Sequence, residues 1–493
     1  MQIKSTSRGK KIPNISKLYT KALIDSRFQR SCKFFFKKSK PVYLYDMHKN
    51  YLLILLLLPF LGMSQPSAKW RKAIKGSVQS VNSAVAMTVD KTNNIFIAGT
   101  SYEVDSAKKI ILVKLDSTGT EQWRRLFQPE TRNDAIAVAV AADFAGFSVI
   151  TGTIKNENGN TDIVTMKFSP DGILVWQNIY AGKAGLFDAP TSIAIDKKGN
   201  VFVCGHESAG EANPELLLLR YNIAGEETFF RNYSSPKMEA AVDVMTDDSC
   251  NAYVCGNILV STRTADIIVL KFDSTGNQKW SYIYDGPQHA VDICTDFAFD
   301  DSSNIFVTGS ANHANDRADV PLIRINKNGK LMSEQLIAEG VSDGVGSNLL
   351  ISGKSIFIQT IFTDFLQQSV TSSIQLADKL CKPKHRFNSP EDVTYIEAAR
   401  WGNSALLFGS ILSRPENTIA PYIELVDSVQ QTVYQFRDEV LISLLRIKDV
   451  LLTGRDIYFL ADDATDNAGT ISVSRYQMPE EPKKITKVNQ RTK

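Results

Sequence analysis

Four histidines follow residue 64: His206, His289, His313 and His385. No two of them have metal-ligand spacing, and neither G-x-S-x-G nor H-E-x-x-H occurs. The usual signatures of an activated serine or a zinc-binding helix are therefore missing, and no catalytic residue is assigned. His206 and His313 each follow an apolar run that ends in glycine, "NVFVCG" and "NIFVTG". They are expected in variable loops, where function concentrates. With Trp401, which fits no repeat, they are the candidate ligand-binding residues. Cys204, Cys250, Cys255, Cys294 and Cys381 form an odd set with no C-x-x-C pair, which is neither a disulfide framework nor a zinc site. Buried thiols are expected. "NENGNTD" (Asn156 to Asp162) comes nearest to a calcium loop, but one Glu and one Asp fall short of the usual oxygen set. No metal and no cofactor is expected.

Other reactive side chains are periodic. Lys114, Lys167, Arg220, Lys271 and Arg324 are spaced 53, 53, 51 and 53 apart, and Gln375, Glu424 and Arg475 continue the series. A charge repeated inside an apolar strand needs a partner or a path to water. The reading taken is a repeated ion pair to a turn aspartate such as Asp116 or Asp273; the alternative is an electropositive, anion-binding face, which Glu424 interrupts. Asp90, Asp143, Asp196, Asp247 and Asp300 also recur, as expected of aspartates capping hairpin turns. Trp70, Trp123, Trp176 and Trp280 share one repeat position, with Phe229 in the same place and Ser333 breaking the series. Aromatics that keep such a beat set the spacing between packed sheets.

The elements that must carry these residues repeat as well. "NIFIAG" ends at Gly99, and its relatives end at Gly152, Gly205, Gly256 and Gly309, spaced 53, 53, 51 and 53. A second phrase, "KLDSTGTEQW" or "KFDSTGNQKW", has its turn glycines at Gly119, Gly172, Gly225, Gly276 and Gly329 on the same beat. Thr360, Gly409 and Ala461 continue the first series, so eight units are counted. Each unit reads as four short strands rich in β-branched and aromatic residues, joined by Asp, Gly, Asn and Ser turns. Strand three is apolar on both faces, as in Ile267, Ile268, Val269 and Leu270, so both of its faces are covered. Four-stranded units of this length, stacked on their own copies, form an all-β propeller. The eighth unit stops after its third strand, "TISVSRYQ", whereas "AKWRKAI" near residue 70 is a lone fourth strand. The N-terminal strand should therefore complete the last of eight blades between about 65 and 479 and leave no open sheet edge. Seven blades is the alternative, should one of units six to eight be misread.

The phrases Asp196–Gly205, Asp247–Gly256 with Asp266–Trp280, and Asp300–Gly309 resemble the SBBP-type β-propeller repeats of bacterial secreted and cell-surface proteins. The turn-and-tryptophan phrase also resembles, with one residue fewer, the tryptophan-docking motif of eight-bladed quinoprotein and outer-membrane-assembly propellers. The first resemblance implies a secreted propeller, and both imply the fold more than an activity.

The termini complete the reading. Residues 1–64 hold 13 Lys and Arg against two acids, which leaves a net charge of −8 for 65–493. An acidic body argues against nucleic acid as a partner. Residues 1–46 read as a basic extension outside the mature protein, and 47–64 as a signal peptide cleaved near Ser64. The apolar run Tyr51 to Met63 spans 13 residues, too short for a stable membrane span. Residues 480–493 form a basic polar tail. The expected protein is a secreted or periplasmic binding or scaffold propeller that presents loops to a protein or glycan partner at the cell envelope. Two alternatives stand: an enzyme (lyase, hydrolase or quinoprotein-like) with its site over the central channel, and a structural envelope-assembly component.

Overall fold

The computed structural model describes residues 66–479 except 77–79, 104–105, 132, 209–213, 234–237, 262–263, 314–316, 341, 402–403, 414–417, 427–431, 439–444 and 464–468. The basic extension, the leader with its Ser64 cleavage site and the tail lie outside the described residues.

The described chain is all strand, in eight four-stranded antiparallel sheets. It opens with β1 (Ser67–Ile74). Blade 1 is β2 (Ser80–Val89), β3 (Ile95–Glu103), β4 (Lys109–Leu115) and β5 (Glu121–Phe127). Blade 2 is β6 (Ala135–Ala142), β7 (Ser148–Lys155), β8 (Thr161–Phe168) and β9 (Leu174–Tyr180). Blade 3 is β10 (Ala189–Ile195), β11 (Val201–Ser208), β12 (Pro214–Tyr221) and β13 (Glu227–Tyr233). Blade 4 is β14 (Met238–Thr246), β15 (Ala252–Ser261), β16 (Thr264–Phe272) and β17 (Gln278–Tyr284). Blade 5 is β18 (Asp292–Phe299), β19 (Ile305–His313), β20 (Arg317–Ile325) and β21 (Leu331–Ile337). Blade 6 is β22 (Asp343–Ser352), β23 (Ser355–Asp364), β24 (Ser369–Asp378) and β25 (Pro383–Asn388). Blade 7 is β26 (Val393–Trp401), β27 (Ser404–Ser413), β28 (Thr418–Val426) and β29 (Thr432–Arg437). Blade 8 is β30 (Leu445–Thr453), β31 (Asp456–Asp463) and β32 (Thr470–Gln477), and β1 is its fourth strand. The count is eight, and Ser67 pairs with Gln477 through to Ile74 with Ile471.

Neighbouring first strands touch all the way round, including β2 with β30, so the first strands line the axis and the fourth strands form the rim. The one-to-two and three-to-four turns share one face, the turn face. The two-to-three loops and four-to-one connections share the other, the loop face. The core lies between blades: Phe202, Cys204, Leu216 and Leu218 of blade 3 pack on Val254, Ile268 and Leu270 of blade 4. Strand three is buried on both sides, as its unbroken apolar run requires.

Four tryptophans, on blades 8, 1, 2 and 4, each bolt their blade to the next. Trp123 on β5 donates its indole Nε1–H to the Pro170 carbonyl at 2.8 Å, and Trp280 donates to Lys327 at 3.1 Å. Trp70 on β1 makes the same bond to Ser117 at 3.1 Å, so the seam between blades 8 and 1 is bolted like those that Trp123, Trp176 and Trp280 close. Each ring lies on the turn glycine of the next blade, at positive φ. A Cβ on Gly172 would sit 2.7 Å from the Trp123 ring. Where Ser333 replaces the tryptophan, Cys381 occupies the glycine position, also at positive φ, with its sulfur 3.3 Å from the Ser333 hydroxyl. The missing ring leaves room for a side chain. Gly172→Ala combines left-handed strain with a displaced indole and should cost about 2–4 kcal/mol. A urea-unfolding midpoint equal to wild type would show that the ring does not require a bare glycine.

Candidate functional site

The three ligand candidates do not meet. His206 lies within β11, with its backbone opposite Ala189 and Leu216. Strand two runs on past its glycine because both neighbours continue to pair with it, so His206 is in a strand and not in a loop. Burial holds its imidazole below the ordinary value. His313 ends β19, with its backbone opposite Arg317; its side chain lies outside the described residues. Trp401 ends β26 opposite Ser404, on the turn face, and packs against the core of blades 7 and 8. The two histidines are two blades apart near the loop face, and the tryptophan is on the other side of the disc.

The basic ring is structural in its contacts, but its partners differ from Asp116 and Asp273. Lys167, 1% exposed, faces Asp143 at 3.7 Å, Lys271 faces Asp247 at 3.9 Å, and Arg475 holds Asp456 at 2.8 Å. These carboxylates belong to the one-to-two turns. Asp116 and Asp273 are instead engaged by donors of their own turns, Thr118 and Thr120 for the first, Thr275 and Asn277 for the second. Lys114 donates to the Pro170 carbonyl at 2.9 Å. Arg220 and Arg324 stack over Phe202 and Phe306, each 5.6 Å from the ring centroid, a cation–π arrangement. Glu424 fits the series because Tyr395, Tyr422 and Thr432 donate to it at 2.7, 3.0 and 2.6 Å. The repeated turn aspartates cap as expected: Asp196 Oδ1 accepts the Lys198 and Asn200 N–H groups at 2.8 and 2.9 Å. In "NENGNTD", Asn156 Oδ1 accepts the Asn158 and Asn160 N–H groups, so the loop's ligand atoms close its own turn.

The channel wall carries chemistry that the period concealed. Every first strand is bulged at one place, for example between Cys294 and Asp296 on β18 and between Tyr395 and Glu397 on β26. The position after the bulge is Ala86, Ala139, Ser192, Asp243, Asp296, Leu349, Glu397 and Asp449 around the ring. Four blades thus place a carboxyl there. Asp296 accepts the Leu349 N–H of blade 6 at 2.6 Å, and Asp449 accepts the Met87 N–H of blade 1 at 3.0 Å. Asp243 accepts its neighbour Val244 N–H at 2.8 Å and the Ser192 hydroxyl of blade 3. Glu397 has no hydrogen bond among the described residues. Burial, then the charges of Asp449 and Asp296, push its carboxyl up to about 8. Burial pushes Asp296 and Asp449 up to about 6 each. Glu397 therefore keeps its proton to higher pH than Asp296 and Asp449 beside it.

On the loop face, the turn between β23 and β24 projects apolar side chains into water. Phe365 is 73% exposed and Leu366 88% exposed. The turn is built rather than slack: Asp364 Oδ1 accepts the Leu366 and Gln367 N–H groups at 2.9 Å each. Beside it, an open cleft of about 430 Å³ between blades 6 and 7 is lined by Val370, Thr371, Pro390 and Val393 among others.

Residues 286–315 match the SBBP β-propeller repeat, over β18, the Asp300 turn and β19. The chain is a β-propeller repeat protein. No curated protein matches it by sequence. Among solved structures, this propeller is similar to the WD40 domain of SCAP from fission yeast, with 11% identity, 83% of this chain and 98% of that one covered, and a TM-score of 0.46. It is similar to a prolyl endopeptidase with 11% identity, 78% of this chain covered and a TM-score of 0.45; it spans 55% of that enzyme's length. A protein of unknown function from Dyadobacter fermentans aligns at 9% identity over 84% of this chain and 99% of that one, with a TM-score of 0.42.

Among the described residues, one group of acids has ligand-like closeness. Oxygens of Asp266, Asp285 and Asp292 lie within 4.8 Å of one another. Asp292 accepts the Gly286 and Asn312 N–H groups, and Asp285 pairs with the exposed His289 at 2.7 Å. The five cysteines among the described residues are free and buried. Sequence reading passed over the channel acids because alanine, serine or leucine fills half of that register position. The 53-residue step from Asp243 to Asp296 was the available signal.

Proposed function

We propose that this propeller is a secreted or periplasmic binding and scaffold protein whose loop face receives a protein partner at the cell envelope. The observation that carries the reading is the capped turn with Phe365 and Leu366 held in water. An ordered turn gains nothing in folding from exposing two large apolar side chains, and such patches mark contact sites. The adjacent cleft gives the partner a concave seat. A protein is favoured over a glycan because the projecting surface is apolar and hydroxyl-poor at its tip.

The test compares the wild-type chain with Phe365→Ser/Leu366→Ser, immobilised and exposed to cell-envelope proteins and to a glycan array. The reading expects a defined protein to be retained by the wild type and at least about tenfold less by the variant, with equal thermal midpoints. Glycan binding that the double substitution leaves intact would overturn it. The alternative, an enzyme with its site over the channel, is favoured by one observation, the Glu397 carboxyl, which has no hydrogen bond among the described residues and which burial, then the nearby Asp449 and Asp296, raise to about 8. It requires a hydrolytic or lyase activity that Glu397→Gln abolishes.

A further inference from the structure

Fourth strands are edge strands, and each offers a row of main-chain groups to any strand laid beside it. Natural edges are commonly guarded by charge. Seven of the eight rim strands carry at least one charged residue, with Arg124 and Arg125 on β5, Arg231 on β13, Lys279 on β17, Glu334 on β21, Arg386 on β25, Arg437 on β29 and Arg71 on β1; Arg125 and Arg231 turn inward to the Gly172 and Gly276 carbonyls of the next blade. β9 carries none. Its seven residues, Leu-Val-Trp-Gln-Asn-Ile-Tyr, contain no charge.

The inner side of β9 is committed. Trp176 donates to the Ile223 carbonyl at 3.3 Å, and Asn178 donates to the Gly225 carbonyl at 2.7 Å, both on blade 3. These bonds hold the strand extended. The other side turns outward: Ile173 is 66% exposed, Val175 48% and Ile179 51%, with the exposed Gln177 between the last two.

We infer that the edge of blade 2 pairs with the same edge of a second copy of this chain, antiparallel about a two-fold axis at Gln177. A two-fold axis sets a strand against itself, so any charge near its centre meets its own like. Arg124 and Glu334 stand at the centres of β5 and β21 and would do so, whereas β9 has no charge to oppose its own copy. With the axis at Gln177, Val175 faces the partner copy's Ile179 in both halves, an apolar β-branched pair of the kind that stabilises sheets. Leu174 likewise faces Tyr180, and the two Gln177 amides meet at the centre. The result is a continuous sheet of eight strands running through two propellers. One strand pair buries less than a standard interface, so the dimer is weak, with a dissociation constant on the order of 10–100 µM.

Sedimentation velocity on the full chain, from about 1 to 200 µM, reads the association. Wild type should shift from monomer toward dimer, and Val175→Lys/Ile179→Lys should stay monomeric with an unchanged thermal midpoint. Ile283→Lys, on the exposed side of β17, is the control and should leave the dimer in place. Gln177→Cys should form an intermolecular disulfide under mild oxidation, since directly opposed strand residues lie within disulfide reach. A wild type that is monomeric throughout, or a dimer that survives the double lysine variant, overturns the inference. So does a monomer whose β9 edge is taken up by an unrelated neutral strand peptide, because the occupant would then be another protein.

Discussion

Removing residues 66–75 is expected to destabilise the propeller more than any point change in its rim. Those residues supply β1, the fourth strand of blade 8. Their loss bares the edge of β32 along its length and removes the Trp70 bolt to Ser117. Ile74 is fully buried in the seam, packed with Ile97, Ile471 and Val473. Arg71 also pairs with the buried Asp438 at 2.6 Å, tying β1 to residues beyond blade 7. Losing an isoleucine and a tryptophan from packed sites costs about 5–10 kcal/mol together, which is of the order of a whole domain's stability. The expected result is a large drop in the calorimetric midpoint and in soluble yield. Adding a peptide of residues 66–76 should restore part of the midpoint. A truncated chain that unfolds at the wild-type temperature would show that the ring is not closed by its N-terminus.

The second large effect is on pH. Glu397 has an ordinary value near 4.5 and is pushed up to about 8 in the fold, first by burial and then by Asp449 and Asp296. The folded state thus binds this proton more tightly than the unfolded chain. Below about pH 4.5 both states are protonated and the group has no effect on the slope. As pH rises through the window to 8, the unfolded chain releases its proton and the folded one does not, so stability falls. By pH 8.5 the loss is about 2–5 kcal/mol. Asp296 and Asp449, raised from 3.8 to about 6, act the same way between pH 4 and 6. On the acid side the turn aspartates work oppositely. Burial acts against the charged form of Asp90, but hydrogen bonds from Asn94 and Thr92 outweigh it and lower its value. That stability is lost as pH drops below 3.8. Maximum stability is expected near pH 4–5, and Glu397→Gln should flatten the alkaline limb. Parallel midpoint-against-pH curves for variant and wild type between pH 5 and 8.5 would refute the raised Glu397 carboxyl.

The fold was legible because it repeats. The phrase from Lys271 to Trp280 holds a capped turn, a positive-φ glycine and a ring that docks on the next copy of the same turn. Each of these is a local requirement, so each left its residue in every regular blade. Even the exception was consistent: Ser333 and Cys381 change together because one fills the space the other vacates. The lone strand at Trp70 could be assigned to blade 8 by counting, since a closed ring allows no other place for it.

The candidate site was less legible, for the opposite reason. Asp243, Asp296, Glu397 and Asp449 share no phrase and stand in strands that otherwise read as alternating or apolar. Only the bulge and the circular order bring them to one wall. His206 looked like a loop residue because its glycine looked like a strand end, yet pairing on both sides carried the strand past it. The basic ring meets carboxylates other than Asp116 and Asp273. The aspartate nearest in sequence was already engaged by its own turn, and the one-to-two turn of the same blade supplied another.

Sequence by itself determined the blade and the closing strand and favoured a count of eight over seven, which the eight sheets bear out, because these depend on turns, strand periods and ring packing that a segment and its neighbouring copy settle between them. Tertiary structure alone decided which carboxyls share a channel, which loop carries Phe365 and Leu366 into water, and which rim edge is left uncharged and open. Those features arise from residues far apart in the chain meeting in a closed ring, and a repeat pattern carries no record of the positions at which it departs from itself.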